Sequence, residues 1–230
     1  MKLPIALSVP HAGLSVPEEL AGNCLLTEQE IVADGDEGSR AIYQLADEVR
    51  VFVTTEIARA VLDMNRARDD RRKDGVVKTH TCWDVPIWRE PLTEPQVQTL
   101  FSAHHTPYHG ALTRAAGSGV ILGVDCHTMA SEGPPVGPDP GRVRPSACLS
   151  NGDGTCPREW IEALAGFLET TLQAEVRIND PFRGGHITRT HAAEMPWVQL
   201  ELSRGPFLPL RDKRNAVLTA LRRWCSRFSQ

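Results

Sequence analysis

Residues 119–124, Gly-Val-Ile-Leu-Gly-Val, form an apolar run without a polar interruption, and it ends abruptly in Asp125-Cys126-His127-Thr128. Such a run predicts a strand buried on both faces in the middle of a sheet. A sheet covered on both sides needs helices to cover it. The rest of the chain supplies them, with strand and helix patterns in alternation. The expected class is therefore α/β, with a mixed, mostly parallel sheet flanked by helices in three layers.

The flanking elements follow from local pattern. Ile5–Val9 reads as a short strand stopped by Pro10, and Val51–Thr55 as a β-branched strand. Ala60–Asp63 reads as a third short strand running into a loop. Thr27-Glu28-Gln29-Glu30 has the form of a capping box. Ile42, Leu45, Ala46 and Val49 share one helical face and predict a helix from Ser39 to Val51. Thr93–His109 predicts another, disturbed by Pro107. Further helices are expected over Pro157–Leu172 and Leu210–Phe228, and strands over Ala147–Ser150, Val176–Asn179 and Val198–Leu202. Pro181–Gly185 reads as a tight turn. Residues 131–145 hold five prolines and three glycines and predict a long loop that rims or covers a site.

At 230 residues, with 41% hydrophobic and 23% charged side chains, the chain suits one domain, residues 1–230. A net charge of −4 argues against a general nucleic-acid binder. No apolar stretch is long enough for a membrane span. The N-terminal apolar run, broken by Pro4 and Pro10, is too short for a signal segment. A cytoplasmic setting is expected, with the six scattered cysteines reduced.

In open α/β sheets ligands gather at the carboxyl ends of the strands. That rule selects His11, the Asp63-Met64-Asn65-Arg66 segment, Asp125, His127 and Glu201. Two histidines at strand ends suit a metal, and a carboxylate should complete the set. Asp34, Asp36 and Glu37 all qualify on position. Asp125, two residues before His127, shares its side of an extended chain and is placed to orient it. Glu201 interrupts Trp197-Val198-Gln199-Leu200-Glu201-Leu202, where burial of an acid without a purpose is costly. It is a candidate general base, or else a salt-bridge partner of Arg204. Arg66 can clamp a carboxylate. His104, His105 and His109 are expected to pack or to support the pocket. Cys126 should point to the opposite side. There is no Walker loop, GxGxxG, GxSxG or CxxC.

Eight segments in order, SVPHAG (8–13), DGDEGS (34–39), DMNRARDD (63–70), PYH (107–109), DCHTM (125–129), GDGT (152–155), PFRGGHIT (181–188) and LELSR (200–204), resemble the N-formylglutamate amidohydrolase family. The resemblance implies a zinc carboxypeptidase-like fold and one zinc ion per chain. It implies His11, Asp36 and His127 as ligands, with Glu37 or Asp34 as alternatives to Asp36. Glu201 would be the general base and Arg183 the oxyanion stabiliser. Asn65 and Arg66 would bind the α-carboxylate, and Arg142 and Arg144, in the Pro/Gly-rich loop, a second one if the substrate is glutamate-like. The implied substrate is a small N-acyl amino acid such as N-formyl-L-glutamate, with no nucleic-acid or membrane partner and room for a homo-oligomer. The rivals are a zinc peptidase or cell-wall amidase with an open cleft, and a non-catalytic binding protein of the same fold. His186 stands where the family commonly has an aromatic residue.

Overall fold

A computed structural model describes residues 1–152 and 154–229. Asp153, in the GDGT segment, lies outside the described residues. Six strands form one sheet in the order β2-β1-β3-β6-β4-β5: β1 (Leu3–Val9), β2 (Val49–Thr54), β3 (Leu122–Met129), β4 (Ala147–Ser150), β5 (Val176–Ile178) and β6 (Trp197–Ser203). All neighbouring strands are parallel except β4 and β6. This is the expected mixed, mostly parallel sheet.

The helices are α1 (Glu18–Ala21), α2 (Glu28–Asp34), α3 (Ser39–Ile42), α4 (Glu94–Leu100), α5 (Thr106–Ala115), α6 (Arg158–Leu172), α7 (His186–His191) and α8 (Leu210–Phe228). Alternation along the strands sorts side chains into two buried layers. On one face Leu7, Leu122, Val124, Cys126, Val198, Leu200 and Leu202 pack under α3, α6 and α8. On the other, Ala6 and Trp197 pack with residues of α4 and α5. Asp125, His127, Gln199 and Glu201 have the same strand parity as Trp197, so they lie on this second side. Gly123 is required there, because a Cβ would stand 2.2 Å from the Trp197 ring.

Several expectations are corrected. The central strand starts at Leu122 and runs through Met129, so Asp125 and His127 sit within it rather than after it. The helix expected from Ser39 stops at Ile42. Ile42, Leu45 and Val49 are buried nonetheless, in a turn that delivers Val49 to pair with Leu3. Tyr43 ends that helix, and its hydroxyl donates to the His127 carbonyl at 2.8 Å. Ala60–Asp63 is a turn, not a strand, because only Ile57 and Ala58 bridge to the chain near Gly13 and Ser15. The helix containing Pro107 is longer than expected. Between α4 and α5 it widens into a π turn, Phe101–His105. Proline lacks the N–H that would close an ordinary turn on residue 103, and the widening relieves the crowding. Pro157 caps α6 rather than opening it. The Thr27–Glu30 capping box forms as expected.

Candidate functional site

β1 ends where Pro10 breaks it, and this places His11 at the carboxyl edge of the sheet. The adjacent strand brings up His127 in β3. Asp36 arrives from the other direction: α2 ends, Gly35 turns the chain, and the Asp36 N–H donates to the His11 carbonyl at 3.3 Å. All three side chains are buried.

Their atoms converge. Asp36 Oδ2 lies 3.0 Å from His127 Nδ1 and 3.4 Å from His11 Nδ1, and the two Nδ1 atoms stand 3.2 Å apart. A tetrahedral zinc with bonds of about 2.0–2.1 Å spaces its ligands about 3.3 Å apart. The donor set, two imidazoles and one carboxylate, fits that ion. The other ring nitrogens fit as well. His11 Nε2 faces Asp63 Oδ1 at 2.8 Å, and His127 Nε2 faces Asp125 Oδ2 at 2.9 Å. Each carboxylate accepts an Nε2–H, which leaves the Nδ1 lone pair free for a cation. Among the described residues this is the group with metal-ligand spacing. The alternatives for its acid fall away. Asp34 is buried against Lys78, whose Nζ donates to both its oxygens at 2.6 Å, and Glu37 is exposed.

The chain behind His127 continues. Asp125 Oδ1 accepts from Ser8 Oγ at 2.8 Å, and Ser8 Oγ lies 2.8 Å from the Tyr108 hydroxyl. The carboxylate only accepts, so Ser8 must donate to it and take the Tyr108 proton. The Ser8–Tyr108 pair thus holds Asp125 in place beside His127.

Glu201 lies beside His127 in register across β3 and β6. It is buried, lines the same cavity and does not pair with Arg204. Arg204 instead donates to the Ala33 and Gly35 carbonyls. Burial pushes the Glu201 carboxyl up; His127 opposes this and Asp36 adds to it. Burial would also raise Asp36, but His11 and His127 hold it well below the usual carboxylate range. Burial resists charge on His127, yet Asp125 and Glu201 outweigh it and hold the imidazole well above its ordinary value.

The cavity measures about 230 Å³. Asn65, Arg66, Arg144 and Arg183 all line it. Asn65 Oδ1 accepts from the Ile187 N–H at 2.8 Å, and its amide fills the space a Cβ at Gly185 would need. Arg66 is held by Asp74, and Arg144 by a bidentate pair with Asp139 at 2.6 and 2.9 Å. Arg183 is exposed at the rim. Arg142 pairs with Asp180 outside the cavity lining. Pro134, Val136, Gly137 and Pro138 wall one side, tied down by the Val136 N–H to the Cys82 carbonyl at 3.0 Å.

Sequence reasoning missed Arg59, Asp63 as the partner of His11, Lys78, and the Ser8–Tyr108 pair. Arg59 Nε donates to Asp63 at 3.1 Å. Against the cost of burial, Asp63, Asp36 and Asp34 hold its guanidinium above its usual value. Apart from Arg59 and Asp63, four residues apart, these partners lie far along the chain from what they touch, so no local pattern marks them. His105 and His109 do support the pocket. Their Nε2 atoms lie 3.0 Å from the Arg66 and Met64 carbonyls, on either side of Asn65. Burial, with repulsion from His105 and His191, takes His109 down to about 3. Cys126 packs on the opposite face as expected, and all six cysteines are free.

Fold and site define the class: an α/β protein with a candidate His-Asp-His metal group lining its pocket. The family model for N-formylglutamate amidohydrolase matches residues 3–207. The chain belongs to that family and is an amidohydrolase acting on a small molecule. A solved N-formylglutamate amidohydrolase from Ralstonia eutropha JMP134 superposes with a TM-score of 0.79 at 20% identity, over 97% of this chain and 93% of that one. A gene product of Agrobacterium tumefaciens gives 0.76 at 17% identity, over 98% and 90%. At these identities the likeness shows the fold. No curated protein sequence matches the chain. Among the described residues no helix is long and apolar enough to cross a membrane.

Proposed function

We propose that the chain is one catalytic domain, a zinc-dependent hydrolase that cleaves the amide of an N-acyl amino acid such as N-formyl-L-glutamate. The observation that carries this reading is the convergence of His11 Nδ1, His127 Nδ1 and Asp36 Oδ2. The net reaction adds water across the amide and yields a carboxylic acid and a free amino acid. When bound, zinc would polarise the acyl carbonyl and acidify the attacking water.

The chain's own residues do the rest. Glu201 takes a proton from the water and delivers it to the leaving nitrogen. Its raised carboxyl suits a group that must both accept and give a proton. Asn65 and Arg66 receive the α-carboxylate and fix the amide over the floor of the pocket. A substrate carboxylate would compete with Asp74 for Arg66 and with Asp139 for Arg144, so Arg144 is read mainly as a brace of the 131–145 loop. Arg183, exposed at the cavity rim, would stabilise the oxyanion by swinging in. The small walled cavity favours a small substrate over a peptide held in an open cleft. A cytoplasmic setting with reduced thiols is consistent with six free cysteines.

The test is elemental analysis of the purified protein and of His127→Ala, followed by formate release from N-formyl-L-glutamate. About one zinc per chain, lost in the variant, with zinc-dependent formate release is the expected result. Metal-free protein that keeps full hydrolytic activity would sink the reading.

A further inference from the structure

Among the described residues, four buried side-chain polar atoms have no hydrogen-bond partner: Ser39 Oγ, Trp197 Nε1, Gln199 Oε1 and Arg204 Nε. Gln199 and Arg204 line the active-site cavity, and the other two do not. Gln199 is 4% exposed, while Arg204 is only partly buried.

The orientation of the Gln199 amide is fixed by its neighbour. Gln199 and Glu201 are two residues apart on β6 and share one face. Gln199 Nε2 donates to Glu201 Oε1 at 2.8 Å. A carboxylate offers only acceptors, so the nitrogen must face it and the oxygen is the atom left over. Nor can the flanking strands satisfy that oxygen. In register, Gln199 lies between Asp125 on β3 and Ser150 on β4. Asp125 is an acceptor already holding Ser8 and His127. Ser150 Oγ donates to the Phe182 carbonyl at 2.9 Å. A buried acceptor without a donor, on a cavity wall, points to a ligand that brings the donor.

We propose that Gln199 Oε1 accepts the N–H of the scissile amide and so restricts the enzyme to secondary amides. The inference rests on the amide-hydrolase reading above. Glu201 has to reach the leaving nitrogen to protonate it, so that nitrogen lies beside the Gln199 amide. As the acyl carbon becomes tetrahedral, the nitrogen gains a lone pair. With its N–H held by Gln199, that lone pair is turned away from Gln199 and toward Glu201. The proton taken from water passes through Glu201 to the nitrogen, and the C–N bond breaks. The acid and the free amine leave, and no other reactant is consumed. N-alkylated amides, such as N-formyl-N-methyl amino acids, lack the hydrogen that Gln199 reads.

The experiment compares N-formyl-L-glutamate with N-formyl-N-methyl-L-glutamate on the zinc-loaded full chain, as wild type and as Gln199→Met. Wild type should favour the secondary amide by about 10–100-fold in kcat/KM, the range expected when a buried acceptor loses its partner. Gln199→Met should bring that ratio close to one. Loss of the Glu201 contact would slow both substrates alike, so only reading of the N–H changes the ratio. Equal turnover of the two amides by wild type would overturn the proposal without any variant. A ratio unchanged in Gln199→Met would overturn it too, leaving steric exclusion of the methyl group as the cause. If wild type releases formate from neither amide, the N-formyl amino-acid substrate of the reading above falls and this assignment falls with it.

Discussion

Glu201 and Ser8 act at the residue scale in different ways, and each makes a separate expectation. In the proposed mechanism Glu201 touches the reacting atoms. Glu201→Gln should lower kcat by about 10²–10⁴-fold, the usual contribution of a proton-transferring group. Zinc content should stay unchanged, since Glu201 lies outside the ligand triad. Turnover that survives would remove Glu201 from the mechanism. Ser8 touches no substrate. It orients Asp125, which orients His127. Ser8→Ala should therefore weaken zinc binding by about 10–100-fold, the range for loss of a group that holds a ligand in place. Competition with a chelator of known affinity measures it, and an unchanged zinc affinity would make the Ser8–Tyr108 chain a packing feature. How much of this was legible differs by residue. His11, His127 and Glu201 announce themselves, because polar groups at the ends of apolar runs demand a reason. Ser8 and Tyr108 do not, because a serine in a strand or a tyrosine in a helix looks ordinary until its partner is known.

At the scale of elements, the pairing of β3 and β6 rests on a missing side chain. Gly123→Ala would drive a Cβ into the Trp197 ring at 2.2 Å. Overpacking of this kind costs about 1–3 kcal/mol, and urea unfolding should show the loss. Stability equal to wild type would mean that β6 can shift away, and Glu201 would shift with it. The link between α2 and the loop around Lys78 is electrostatic. Burial would raise the Asp34 carboxyl, but Lys78 and Arg59 hold it below its usual value. A depressed carboxylate contributes stability that is present above its unfolded pKa, about 3.9. That stability is lost as pH falls through the lower folded value. Asp34→Asn leaves Lys78 buried and unpaired and should cost about 3–5 kcal/mol near neutrality. The gap to wild type should close in acid, below that carboxylate range. A gap that persists there would show that the variant fails through packing instead.

The whole molecule brings its acids together at one edge of the sheet. Asp36, Asp63, Asp125 and Glu201 are all buried around two imidazoles and Arg59. A cation bound there is linked to global stability, because the unfolded chain scatters its ligands. Zinc at a hundredfold excess over its dissociation constant should add about 2.7 kcal/mol. For a chain of this size that corresponds to a Tm roughly 5–10 °C above the chelator-treated protein. Calorimetry with and without chelator checks it. A Tm indifferent to the metal would deny the triad any role in binding one.

The sequence by itself determined the class of the sheet, its central strand, the face on which Cys126 lies, and the eight segments that carry the family resemblance. These follow from short-range facts: alternation along a strand, helical spacing, and the need of a buried polar residue for a purpose. It misjudged Ser39–Val51 and Ala60–Asp63, where apolar residues bury themselves from turns as readily as from helices or strands. Only the tertiary structure decided which of Asp34, Asp36 and Glu37 faces the histidines. All three are acids on one short segment, and the choice is made by Lys78, which comes from far along the chain to neutralise Asp34. It also decided which ring nitrogens of His11 and His127 face Asp36, through Asp63 and Asp125, and it left Gln199 with an unpaired oxygen. Hydrogen bonds between distant residues have no period and no local signature, so only the folded chain brings such partners together.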